Sequence, residues 1–208
     1  MKAHPLDIAH QAVSPTVMVP LYGELTPLNK NGHRFLAACN GLWVEVRRPW
    51  LHLVWPLATQ QEFPMPYGKV EKKTELTFGK IPVDLIAQFV ADAEAAFPNE
   101  FGAWLVWDDY AKQLNYRAMR SIDAGPGHLV AERPEIAEHE SLAVNLHSHG
   151  RYPAFFSPDD DIDDRHEVKV AGVFGSFGGE KMTTAFRICT GGGFINLGDQ
   201  ELGPMVQV

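Results

Sequence analysis

Two histidines one residue apart, His147 and His149, close the apolar run Leu142-Ala143-Val144-Asn145-Leu146. Side chains two apart on a β-strand point to the same face, so a strand here presents both imidazoles side by side and turns Ser148 away. Two imidazoles in that arrangement supply half of a tetrahedral zinc site. A His-x-His pair taken alone is more often a hydrogen-bonded surface or core pair than a metal site. Seven residues further on, however, stands Ser157-Pro158-Asp159-Asp160, and an acidic side chain at that distance can return to the same cleft as a third ligand. His147, His149 and Asp160 leave zinc a fourth position for water, which is the pattern of a catalytic site.

Ser157 to Asp160 also reads as a helix start. Ser157 suits the N-cap, Pro158 the first helical position, and Asp160 stands three residues on, approximating a capping box. The two roles are compatible, because a helix start is a rigid place from which to aim a ligand. Upstream, Pro98-Asn99-Glu100 separates a helical stretch from the apolar run Phe101 to Trp107, which puts Glu100 at a helix-to-strand junction.

Taken together, Glu100, His147-Ser148-His149 and Ser157-x-x-Asp160 resemble the JAMM motif of the JAB/MPN metalloprotease family. The resemblance spans roughly residues 80 to 200. It implies an α+β fold with a central mixed sheet flanked by helices, and one zinc ion held by His147, His149 and Asp160. It further implies Glu100 as the residue that orients and deprotonates the attacking water, and Ser157 as a hydrogen-bond donor to the oxyanion. The implied activity is hydrolysis of an amide bond at or near the C-terminus of a ubiquitin-like protein or its conjugate, with E1-like and E2-like proteins as partners. An MPN-type scaffold without catalysis and a zinc amidohydrolase acting on a small amide are the rival readings. The N-terminal part and the segment Phe186 to Leu197 resemble the protein A subgroup from the bacterial PRTRC cassette. Two departures from the family pattern stand out: Gly150 replaces the Pro that often follows the second histidine, which predicts a more mobile loop, and no long ubiquitin-recognising insertion is evident.

The elements that must position these residues are legible in outline. Residues 82 to 97 repeat apolar side chains at three and four, with Pro98 stopping the helix. Val168 to Gly175 and Met182 to Cys189 read as strands, as does Tyr116 to Ile122, with Gly125-Pro126-Gly127 as a turn. In the N-terminal part, Leu42 to Val46 and Trp50 to Trp55 read as two antiparallel strands. The prolines at 5, 15, 20 and 27 predict irregular chain or short strands over residues 1–30. The Pro-rich and polar segment 56–80 reads as a connection, which predicts a β-rich N-terminal domain over 1–78 and a catalytic domain over 79–208.

A net charge of −8 argues against a nucleic-acid surface, which needs clustered Lys and Arg. No stretch approaches the length of a membrane span, and residues 1–7 lack the apolar core of a signal peptide, so a cytoplasmic protein is expected. Cys39 and Cys189 fit neither a disulfide framework nor a Cys-x-x-Cys zinc pattern and read as buried or incidental thiols. Trp43, Trp50 and Trp55 read as core or domain-interface residues. Asp159, Asp161, Asp163 and Asp164 read as a solvated acidic face, one of them touching the metal histidines from behind. His139 and His166 have no partner spacing and read as surface.

Overall fold

The computed structural model describes residues 3–59 and 63–198. The chain divides into two compact units, Met1–Thr77 and Phe78–Val208. Among the described residues no helix is long and apolar enough to cross a membrane.

In the first unit, helix α1 (Pro5–Val13) precedes five strands: β1 (Thr16–Met18), β2 (Gly32–Ala38), β3 (Gly41–Arg48), β4 (Leu51–Ala58) and β5 (Lys73–Leu76). They form one sheet in that order, antiparallel except for the parallel β1/β2 pair. Val19, Leu36, Ala38, Trp43, Val54 and Val70 pack together as its core. Trp43 and Trp50 are buried, and Lys72 places its ammonium over the Trp55 ring at 3.6 Å. Beneath the sheet surface the Glu45 carboxylate is held by Arg34 Nε at 2.7 Å and His52 Nε2 at 2.9 Å.

Two expectations fail in this unit. Residues 1–30 include a nine-residue helix, because Pro5 starts it, the His4 imidazole caps it, and Pro15 follows its end. It buries no residue, so no core-facing stripe was needed for it to form. The segment 56–80 is not a plain connection: β4 runs on to Ala58 and Lys73–Leu76 pairs with it as the edge strand. That strand carries charged, exposed side chains, as edge strands do, and so resembled a linker. Residues 60–62 of the segment lie outside the described residues.

The second unit opens with α2 (Val83–Ala96), then β6 (Gly102–Asp108), β7 (Gln113–Ala118), β8 (Arg120–Gly125), β9 (His128–Glu132) and β10 (Glu140–Ser148). After these come α3 (Pro158–Asp164), β11 (Val168–Gly175), β12 (Thr183–Thr190) and β13 (Phe194–Leu197). The main sheet has the order β13-β12-β11-β10-β6-β7. Only β10 and β11 run parallel, so the sheet is mixed. The strand expected over Tyr116 to Ile122 is broken at Met119, whose N–H bonds to the Gly102 carbonyl. Beyond it the chain leaves the sheet as the separate β8/β9 hairpin, turning at Pro126-Gly127.

The alternation of β10 divides the unit into two faces. Ser148 is buried away from the histidines, and its hydroxyl accepts the Phe101 N–H at 2.9 Å. On that side α2 docks through Phe89, fully buried, with ring centroids 5.9 Å from Phe101 and 5.0 Å from Phe174. The histidines and α3 occupy the opposite side. Since one phenyl ring fastens α2 to β11 and to the chain entering β6, Phe89→Ala is expected to cost about 3–5 kcal/mol, read as an earlier denaturant midpoint for the second unit. A change within about 0.5 kcal/mol, the range of an ordinary surface substitution, would refute this account of the docking.

Candidate metal centre

β10 delivers the two histidines at its C-terminal end, as the strand alternation requires. Their Nε2 atoms stand 3.1 Å apart, and Asp160 Oδ1 lies 3.4 Å from His147 Nε2. Ligands at about 2.0–2.1 Å around a tetrahedral zinc are separated by about 3.3 Å, the edge that follows from those bond lengths. Both separations are close to that edge, and the donor atoms of all three residues lie within 4.8 Å of one another, so the group can hold zinc.

The atoms behind the donors of His149 and Asp160 are committed elsewhere. The Pro153 carbonyl lies 3.3 Å from His149 Nδ1; a carbonyl only accepts, so Nδ1 carries the proton and Nε2 keeps a free lone pair. Asp160 Oδ2 accepts the Ser157 N–H and the Ser157 hydroxyl, both at 2.7 Å, while Ser157 Oγ accepts the Asp160 N–H at 3.1 Å. This capping box occupies one carboxylate oxygen and leaves the other facing His147. Burial holds the His147 imidazole below its ordinary range, against the pull of Asp160. Neutral imidazole is the form that binds a metal.

A second group, Asp108, His139 and Glu140, brings three donors within a similar distance. Its oxygens are already engaged. Asp108 Oδ1 accepts the N–H groups of Tyr110 and Ala111, and Glu140 pairs with Arg117 and accepts the Ala137 N–H. His139 stacks flat on Tyr110 at 4.4 Å. A cation there would have to displace donors that already satisfy the carboxylates.

Glu100, His147, His149, Ser157 and Asp160 all line one cleft of about 760 Å³. Glu100 is anchored by its N–H to the Gly125 carbonyl at 3.0 Å, which ties the β8/β9 hairpin to it. Burial, reinforced by the nearby Asp160 charge and opposed by His128, raises the Glu100 carboxyl to about 7. A carboxyl with that affinity can exchange a proton near neutral pH. The Ser157 hydroxyl directs its proton at Asp160, so it serves the helix cap in this conformation.

Gly150 has a steric reason. Its φ is +52°, and a Cβ there would meet the Pro98 carbonyl oxygen at 2.7 Å. The loop after it is held at several points rather than left loose: the Tyr152 carbonyl accepts the Ser176 N–H at 2.7 Å and the Ala154 N–H donates to Thr183 Oγ1 at 2.8 Å.

The acidic face needs correction at two positions. Asp164 is buried and paired with Lys169 and Arg187, and Asp161 pairs with Arg187. The signal was present in the sequence as single cations inside apolar strands, Val168-Lys169-Val170 and Phe186-Arg187-Ile188, since a buried charge needs a partner. Asp159, Asp163 and His166 are exposed. Cys189 is buried with its thiol pushed up to about 12, which fits an inert role. Sequence reasoning also passed over His128, Trp104 and Asn145 of the cleft wall, whose spacing relative to the histidines carries no motif.

Residues 82–189 match the prokaryotic homologues of the JAB domain, and residues 4–77 match a domain of unknown function. The first match covers just over half of the chain, and the chain belongs to the family of prokaryotic JAB-domain homologues. It is an α+β protein in which a β-rich N-terminal region precedes the JAB domain. The match reaches the family and does not single out the PRTRC protein A subgroup. Comparison with curated proteins finds no match. Among solved structures, protein DSY2949 from Desulfitobacterium hafniense is 15% identical with a TM-score of 0.42, over 55% of this chain and 86% of that one. That likeness is too slight to bear on fold or function.

The raised Glu100 carboxyl has a measurable consequence for stability. In the metal-free protein the folded state holds this proton more tightly than the unfolded chain does, so the stabilisation is complete below the ordinary value of 4.5 and is lost as pH rises through about 7. Glu100→Gln, which cannot ionise, is expected to melt above the wild type at pH 8, with the gap closing by pH 5. Parallel melting curves across that window would show that Glu100 is not the titrating group.

Proposed function

We propose that this protein is a zinc-dependent peptidase or isopeptidase that hydrolyses an amide bond at or near the C-terminus of a ubiquitin-like protein or its conjugate. One observation carries the reading. Three donors within 4.8 Å of one another, two of their separations close to a tetrahedral zinc edge, share a cleft with a carboxyl poised near neutral pH. Zinc, when bound, supplies Lewis acidity, polarising a carbonyl and making water acidic enough to lose a proton near pH 7.

The chain's own residues do the rest. His147, His149 and Asp160 hold the ion. Glu100 takes a proton from water as its oxygen attacks the amide carbon, and returns that proton to the leaving amine as the C–N bond breaks. Ser157, after turning its hydroxyl from Asp160, donates to the carbonyl oxygen as that oxygen gains negative charge. Phe155 packs edge-on against His149 with centroids 4.7 Å apart and shields that side of the ring from water. Trp104, Met119 and Leu129 give the cleft an apolar wall suited to an extended polypeptide tail. E1-like and E2-like proteins are the partners that such a substrate implies.

The reading is tested by incubating the protein with a ubiquitin-like protein fused through its C-terminal glycine to a reporter, with and without a zinc chelator. Cleavage that stops on chelation is expected. Glu100→Ala should lower turnover by about 10²–10⁴-fold, the range for a lost general acid–base, while zinc content stays at the wild-type level. Undiminished turnover in that variant would remove Glu100 from the reaction. A zinc-loaded wild type that leaves the fusion intact would favour the MPN-type scaffold.

A further inference from the structure

The helix that carries the third donor has almost nothing apolar with which to dock. α3 reads Pro158-Asp159-Asp160-Asp161-Ile162-Asp163-Asp164, and Ile162 is 63% exposed. A helix of seven residues does not hold itself in water, and five carboxylates in such a length repel one another. Its one buried residue is Asp164.

The opposing charge comes from the sheet. Arg187 on β12 lies in register with Ala171 on β11, which in turn lies in register with Asn145 on β10, two residues before His147. The arginine therefore rises from the same sheet face as the metal histidines. It is 2% exposed, and its Nη1 reaches Asp161 at 2.5 Å while Nη2 and Nε reach Asp164 Oδ2 at 2.7 and 3.2 Å. Lys169 Nζ takes the other Asp164 oxygen at 2.7 Å. The guanidinium is also sandwiched between the rings of Phe156 at 3.9 Å and Phe194 at 4.0 Å. Phe156 immediately precedes Ser157, and Asp161 immediately follows Asp160. One side chain thus grips the chain on both sides of the Ser157–Asp160 capping box.

We propose that Arg187 is a positioning residue that sets the place of Asp160, and so the affinity and geometry of the metal site, through Phe156, Asp161 and Asp164. The proposal rests on the reading of His147, His149 and Asp160 as a zinc centre. The flat guanidinium makes the requirement specific to arginine, because it holds Asp161 and Asp164 from one rigid plane while its faces fill the slot between the two rings, which a compact ammonium on a flexible stem cannot fill.

The test measures zinc affinity by competition with a chromogenic chelator, and the visible absorption of the cobalt-loaded protein, for wild type, Arg187→Lys and Asp161→Asn. Outer partners of metal ligands typically govern about 10–100-fold in affinity. Arg187→Lys is expected to lose that much and to change the cobalt bands despite keeping its charge, and Asp161→Asn to lose about tenfold. Asp161 is half-exposed, so Asp161→Asn decides the matter alone if Arg187→Lys does not fold. Wild-type affinity and an unchanged cobalt spectrum in the folded variants would overturn the proposal, whatever their melting temperatures. A wild type that binds no zinc would overturn the metal centre itself and this proposal with it.

Discussion

The carboxylate of Asp160 serves two structures at once, and the rest of the second unit is arranged so that it can. One oxygen closes the capping box with Ser157, the other faces the imidazole of His147. A carboxylate that caps a helix is oriented to within a narrow cone by two hydrogen bonds, so the free oxygen points where the helix start points. Aiming the donor is therefore the same problem as placing α3. The two histidines need no comparable device, because strand alternation sets them side by side and the Pro153 carbonyl fixes the tautomer of the second.

α2 and α3 meet the sheet through opposite physics. α2 buries Phe89 against two phenyl rings, and the cost of disturbing it is that of a cavity. α3 meets the sheet through Asp161, Asp164, Arg187 and Lys169. Burying ions is expensive unless each finds its partners, and deleting one partner strands the other. Such an arrangement contributes little net stability relative to an apolar contact, but it tolerates few alternative geometries, which suits a helix that carries a candidate metal donor. The same concentration of negative charge reaches Glu100, where Asp160 adds to burial in raising the carboxyl.

The parts visible in the sequence were those encoded by local spacing. His147 and His149 followed from the period of a strand, Ser157 and Asp160 from the grammar of a helix start, and α2 from its three-and-four repeat ended by Pro98. What escaped was set by pairing across the fold. Asp164 looks like one more solvated acid until Lys169 and Arg187 are brought against it from strands β11 and β12. Lys73–Leu76 looks like linker until β4 gives it a partner. The helix α1 buries nothing, so hydrophobic pattern could not reveal it. Gly150 read as a loosening of the loop, and its steric reason emerges only when the Pro98 carbonyl is placed beside it.

Three residues separated by up to thirteen positions in the chain stand together as one candidate zinc site. Metal content, measured on protein purified without chelators, tests it most directly. One zinc per chain in the wild type, absent from His149→Ala, is the outcome this account requires. A wild type that neither carries zinc nor takes it up when supplied, or a His149→Ala protein that keeps it, would contradict it.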